Sequence, residues 1–159
     1  MEDKEKIKFM QEAILLANEG MIANTGGPFG TVVVKDGKII GRGNNRVTST
    51  NDPTAHAEVV AIRDACKNLG SFQLKGCEIY TTCEPCPMCL GAIYWARPSK
   101  LYYGCSKKDA ADIGFDDAFI YHEIKLPLQE RKIQFIQLLR EEALESFKEW
   151  KAKDNRISY

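Results

Sequence analysis

No apolar run in this chain approaches the roughly 20 residues that a membrane-spanning helix needs. The opening, MEDKEKIKFMQEAILLANEG, is charged and helical in pattern. It lacks the basic start and apolar block of an export signal, so a cytoplasmic location is expected. Excess charge is missing too: 22 Lys and Arg balance 22 Asp and Glu. Proteins that live on nucleic acid draw affinity from phosphate neutralisation, so a neutral chain without a basic stripe argues against that partner. Internal repeats, low-complexity tracts and linkers are also absent, and 159 residues suit one ordinary domain. The six cysteines, in a chain read as intracellular, favour free thiols or metal ligands over a disulfide framework.

Hydrophobic periodicity organises what is present. Ile7, Met10, Ile14, Ala17 and Met21 recur at helical spacing, which predicts a core-facing stripe closed by Gly20. In 29-FGTVVVKDGKIIGRG-43 two β-rich runs flank Asp36-Gly37, a hairpin signal. Asp52-Pro53 is expected to cap and open a helix that carries His56 and Glu58 in its first turn. That helix runs to about Leu69, with Gly70 as its stop. A buried strand is read over 76–82. Pro85 or Pro87 then opens a helix through about Trp95, ended by Arg97-Pro98, and a further strand covers 100–105. This alternation predicts a layered α/β domain with helices on both faces of a mixed sheet. The stretch 115–127 has weak periodicity, whereas Ile136, Leu139, Ala143, Phe147 and Trp150 trace a last amphipathic helix in which Trp150 is core or interface.

Two short stretches carry the chemistry: 53-PTAHAEVVA-61 and 81-TTCEPCPMCLGAIYWARP-98. Cys86 and Cys89, three apart on a first helical turn, lie near unpaired N–H groups and the positive end of the helix dipole, which favours thiolates. If two helix starts meet above the sheet, His56 joins them. The set is then one nitrogen and two sulfurs, the three-ligand zinc site with an open position for water. Cys83 offers a closed alternative of His plus three Cys, but it ends a strand on the far side of Pro85 and cannot share the Cys86–Cys89 turn. Cys66, Cys77 and Cys105 read as buried cysteines in apolar surroundings. Glu58, two residues past the histidine, falls about 200° round the helix axis from it. It need not bind metal, yet near a helix start it can reach a metal-activated water and move its proton. A purely structural zinc module gives Glu58 no such task.

The pattern His56-Ala57-Glu58 with Pro85-Cys86-x-x-Cys89 resembles the H-x-E…P-C-x-x-C signature of zinc nucleobase deaminases, the cytidine deaminase superfamily. Within it, 26-GGPFGTVVVKDG-37, 51-NDPTAHAEV-59, 83-CEPCPMCLGAIYWARP-98, 114-GFDDAFIY-121 and the terminal Tyr159 are similar to the bacterial guanine deaminases. That resemblance implies a three-layer α/β/α sandwich with a mixed five-stranded sheet, one zinc ion per subunit and hydrolysis of guanine to xanthine and ammonia. It implies residues 1–159 as a single domain in a homodimer, with 122–159 a C-terminal segment exchanged between subunits. The ligands carried over are His56, Cys86 and Cys89, with Glu58 and Asp117 as catalytic carboxylates. The implied base contacts are Phe29 as an apolar wall, the Asn45 amide, the Ala57 backbone, Trp95 near the ring, Asp117 on the exocyclic amine and the partner's Tyr159 as a cap. In 43-GNNRV-47 a slip of one residue exchanges Asn45 for Asn44. A deaminase of tRNA adenosine shares every metal residue but needs a basic surface. Guanosine or an aminotriazine is an alternative small substrate.

Overall fold

The computed structural model describes residues 3–159. The described elements run α1 (Asp3–Ile22), β1 (Gly30–Lys35), β2 (Lys38–Asn44), α2 (Val47–Thr50), α3 (Ala57–Leu69), β3 (Glu78–Cys83), α4 (Pro87–Ala96), β4 (Lys100–Cys105), α5 (Lys107–Asp112), α6 (Ala118–Lys125) and α7 (Arg140–Ala152), with a single 3₁₀ turn at Leu128–Glu130. They fall into two compact units, one running to Asp117 and one covering Ala118–Tyr159. No described helix is long and apolar enough to cross a membrane.

The first unit is the predicted mixed sheet between helices. Strand order is β2-β1-β3-β4, antiparallel except for the parallel β3–β4 pair, which α4 connects. Side-chain alternation along the strands divides the core. Val32, Val34 and Tyr80 pack with Phe9, Met10 and Leu16 of α1, whereas Val33 and Ile79 pack with Ala61 and Ala65 of α3 and Ile93 of α4. The Asp36-Gly37 hairpin is present, both residues at positive φ (48° and 73°), as a tight two-residue turn demands. A register shift between Val33 and Val34 lies close to it on β1.

Among the described residues the sheet has four strands, not five. A strand needs a hydrogen-bonded neighbour, and the chain beyond β4 turns at once into α5. There Ser106 and Asp109 form a reciprocal capping box that satisfies two helix-start donors. The α1 stripe is corrected as well. Of the stripe, Ala17 is buried and Met10 packs on the core, but Ile7, Ile14 and Met21 are exposed. The other buried positions are Ala13 and Gly20, because small residues let the helix lie close on Gly30 of β1 and Asn44 of β2. Gly20 lies within that helix rather than closing it.

The start of α3 also differs from expectation. Asp52 Oδ1 accepts from the Thr54 backbone N–H (2.8 Å) and hydroxyl (2.6 Å), so Asp52 closes a local turn and His56 is the N-cap. Gly70, at φ 63°, ends the helix as predicted. Gly43 sets its height over the sheet: a Cβ there would stand 2.3 Å from the Ala57 carbonyl oxygen.

The second unit contains α6, a helix in the stretch of weak periodicity, and α7, which begins at Arg140. Ile136 therefore precedes the helix, and Leu139 is its N-cap. Arg131 ties the middle of this unit together, donating to the carbonyls of Leu126 and Ile124 and lying 5.0 Å over the Phe135 ring.

Candidate metal centre and active site

Two helix starts supply the donors. His56 caps α3 in extended conformation and uses no side-chain atom to do so, which leaves its imidazole free to leave the helix. Cys86 likewise caps α4, Pro87 occupies the first helical position where a missing N–H costs nothing, and Cys89 follows in the same turn. His56 Nδ1 is 3.5 Å from each of the Cys86 and Cys89 sulfurs, and the three donor atoms all lie within 4.8 Å of one another. This is the only group of three such donors among the described residues.

Cys83 is not part of it. The residue is buried at the end of β3, and its thiol leans toward the Ser106 carbonyl at 3.7 Å. Burial pushes that thiol up to about 11, so it stays protonated where a ligand must not. The chemistry of the cluster is the reverse. Cys86 is held down to about 4, first by the hydrogen bond from the Cys89 thiol and then by His56, against the cost of burial. Cys89 carries the proton of the pair, and hydrogen bonding to Cys86 raises its own pKa. The same thiolate raises His56 above its ordinary value. One imidazole, one ready thiolate and a second thiol within one coordination radius suit zinc, with a fourth position left to water.

Glu58 completes the arrangement. The side chain is 6% exposed, and Oε2 lies 3.4 Å from the Cys89 sulfur. Burial raises its carboxyl above the ordinary carboxylate range. A buried acid beside the donors, and outside the donor set, is placed to exchange protons with whatever fills the open position.

The structure positions the other predicted residues unequally. Phe29 is half-buried, and its carbonyl accepts from the Asn45 backbone N–H at 3.1 Å. Asn45 is buried, and its Oδ1 accepts from Val47 N–H at 3.1 Å, which turns the amide nitrogen away from that loop. Asn44 is otherwise engaged, donating to the Thr25 hydroxyl at 2.9 Å and accepting from Arg46 at 3.2 Å. Ala57 is buried at the first position of α3. Asp117 ends the first unit; its carboxyl is raised by partial burial and by the nearby Cys86 thiolate. Trp95, on α4, is 63% exposed, and Tyr159, at the end of the second unit, is 70% exposed. Of the cysteines expected in apolar surroundings, Cys77 is buried and Cys66 half-buried, but Cys105 is exposed because it closes β4 on the outer edge of the sheet.

Sequence reading missed Phe115, whose ring meets Phe29 edge-to-face with centroids 5.0 Å apart. The signal was an aromatic residue between Gly114 and the Asp116-Asp117 pair.

Known proteins agree with this geometry. The family model for the cytidine and deoxycytidylate deaminase zinc-binding region matches residues 3–105. Guanine deaminase of Bacillus subtilis is 57% identical over 151 residues, covering 95% of this chain and 97% of its own length. The X-ray structure of guanine deaminase from Bacillus subtilis superposes with a TM-score of 0.94 at 55% identity, covering 100% of this chain and 99% of that one. A tRNA-specific adenosine deaminase of Agrobacterium fabrum is 52% identical over 77 residues, covering 48% of this chain and 51% of its own. With His56, Cys86 and Cys89 converging beside Glu58 inside the matched region, the chain belongs to the cytidine and deoxycytidylate deaminase zinc-binding family.

Proposed function

We propose that this enzyme hydrolyses guanine to xanthine and ammonia. The observation that carries the deaminase chemistry is the buried Glu58 carboxyl beside a three-donor zinc set that excludes Cys83. The choice of guanine is supported by likeness running through both units, since guanine deaminase of Bacillus subtilis matches 95% of the chain whereas the tRNA-specific relative matches 48%.

Bound zinc supplies Lewis acidity, which brings the pKa of a coordinated water to roughly 7. Glu58 takes the proton that the water gives up and delivers it to the ring nitrogen adjoining C2, leaving that carbon electrophilic. The water oxygen adds at C2. Glu58, assisted by Asp117, then carries the remaining proton of the added hydroxyl to the exocyclic amine, the C–N bond breaks as the C2 carbonyl forms, and ammonia leaves with xanthine behind. A carboxyl raised by burial suits this work, because a proton shuttle is most effective when its pKa approaches the working pH.

Substrate contacts follow from the same reading. Phe29 forms an apolar wall, the Asn45 amide nitrogen and Ala57 backbone hydrogen-bond the base, Trp95 packs near the ring and Asp117 locates the amine. The enzyme is a cytoplasmic homodimer that exchanges residues 122–159, so the partner subunit's Tyr159 caps the pocket. The exchange is supported by the second unit itself, which has many apolar side chains and not one buried residue. Ammonia release from guanine, guanosine, adenine, cytosine and tRNA tests the assignment. Release from guanine is expected, and activity confined to tRNA overturns it.

A further inference from the structure

The loop that carries Asp117 is anchored by an aromatic contact that none of the roles above uses. After α5, Gly114 turns the chain at φ 94°, and the Phe115 N–H donates to the Ala110 carbonyl at 2.9 Å. The Phe115 ring then meets Phe29 at an interplanar angle of 88°, the edge-to-face arrangement that aromatic quadrupoles favour. Room for this pair depends on Gly27, since a Cβ there would stand 3.0 Å from Phe115 Cζ and 3.0 Å from Phe29 Cε2. Phe29 is itself fixed. Its N–H donates to the Gly27 carbonyl at 2.9 Å, and its carbonyl accepts from Asn45 N–H.

Those rings join two groups of residues that the proposed function sets around the base. On one side stand Phe29 and Asn45, and on the other Asp117, two residues past Phe115. On the Phe115 side, Gly114 N–H also donates to the Ala111 carbonyl at 3.0 Å, and Lys107 N–H donates at 3.1 Å to Glu84, which lies between β3 and Cys86. Phe115 stays 47% exposed despite its aromatic contact. A phenylalanine that packs into a core hides more of itself than this, so its contribution is directional rather than a matter of area.

We propose that Phe115 is a positioning residue: its edge-to-face contact with Phe29 fixes the distance between Asp117 and the Phe29–Asn45 side of the pocket, so that the carboxylate meets the exocyclic amine. This rests on the guanine deaminase reading. Loss of the ring removes the contact that ties Phe115, two residues before Asp117, to Phe29, and a displacement of about 1 Å at a reacting group costs on the order of a hundredfold in rate.

Phe115→Ala, Phe115→Leu and Phe115→Tyr are made in the full-length chain, each alone and combined with Asp117→Asn. Zinc content, melting temperature, kcat and KM are measured for all. Phe115→Ala is expected to lower kcat by on the order of tenfold to a hundredfold with zinc retained. Phe115→Tyr should return it to within about threefold of the parent, since it keeps the ring. In the Asp117→Asn background, Phe115→Ala should cost no further kcat, the non-additivity of residues that act as a unit. Multiplying losses, or a Phe115→Ala protein that melts lower at unchanged kcat, overturn the proposal. Should Phe115→Ala fail to fold, Phe115→Leu carries the same comparison. Wild-type chain that releases no ammonia from guanine refutes the substrate assignment separately. The cycle is then run on whichever substrate is turned over, where non-additive losses support the positioning role of Phe115 and multiplying losses overturn it.

Discussion

The two units of this chain obey opposite rules. Up to Asp117, Val32, Val33, Val34, Ile79 and Tyr80 of the strands and Ala61, Ala65 and Ile93 of α3 and α4 are buried between layers, and the zinc donors sit where two helix starts converge. From Ala118 onward nothing is buried: Phe119, Ile133, Phe135, Ile136, Leu138, Leu139 and Phe147 all stand exposed. Ordering a residue costs about 1–2 kcal/mol of backbone entropy, which apolar burial normally offsets. The first unit meets that cost from its own core. The second has apolar side chains and no core, the pattern of a surface destined to be covered. In the proposed homodimer a second copy of the chain is the cover.

Glu58→Gln should produce the largest effect. The amide keeps the shape of the acid but cannot carry its proton, so kcat should fall by on the order of a thousandfold or more, while His56, Cys86 and Cys89 keep their zinc. Loss of metal in this variant, seen as less than one zinc per chain, contradicts the shuttle role. Gly43→Ala tests how rigidly the first unit is built. The added Cβ falls 2.3 Å from the Ala57 carbonyl oxygen and 2.5 Å from the Ala61 nitrogen, both backbone atoms that cannot swing aside. A destabilisation of about 3 kcal/mol is expected, with weakened zinc binding because α3 carries His56. Unchanged melting would mean that α3 is free to slide.

In the second unit, Ile136→Asp combined with Leu138→Asp separates the two accounts of its exposed surface. Substitutions on a surface that stays in water change stability by no more than about 0.5 kcal/mol. On a surface covered by a second copy, the same carboxylates are desolvated, and sedimentation should report monomers with reduced guanine turnover, because the partner subunit's Tyr159 is then lost from the pocket. A doubly substituted protein that remains fully active at its original size removes the case for exchange.

The zinc centre was legible because ligand chemistry is written in spacing and residue type: two cysteines on one helical turn, a histidine at another helix start and an acid with no ligand role. The Asp36-Gly37 hairpin was legible for a similar reason, a two-residue turn having few chemical solutions. Periodicity placed Ala17 and Met10 of α1 correctly but misjudged Ile7, Ile14 and Met21, since it weighs large side chains. Ala13 and Ala17 instead make the close approach to Gly30 of β1, and Gly20 the one to Asn44 of β2. The α5 helix was missed although its Ser106-x-x-Asp109 capping box is a readable start signal. Asp52 looked like a helix cap because aspartate before proline often is one. Its carboxylate instead bonds Thr54, a local competition that no spacing rule resolves. The four-strand sheet and the exposed Cys105 share one cause: β4 lies at the edge, and edges depend on neighbours that the local sequence does not name.

The smallest effect concerns the thiols, all six of which lie in the first unit. With zinc bound at pH 8, iodoacetamide should modify the exposed Cys105 first and leave Cys83 untouched, since a thiol raised to about 11 is almost entirely protonated there. Removing zinc with a chelator reverses the order for one residue. Cys86 has its pKa held down to about 4, so at pH 6 it is already the thiolate, the reactive form, while an ordinary cysteine near 8.5 is not. Alkylation of Cys86 at pH 6 should therefore outpace that of Cys105 in the chelated protein and fade only as pH falls toward 4. Mass spectrometry of tryptic peptides reads both results. A Cys86 that needs pH 8 to react would mean that His56 and Cys89 do not hold the thiolate ready before the metal arrives.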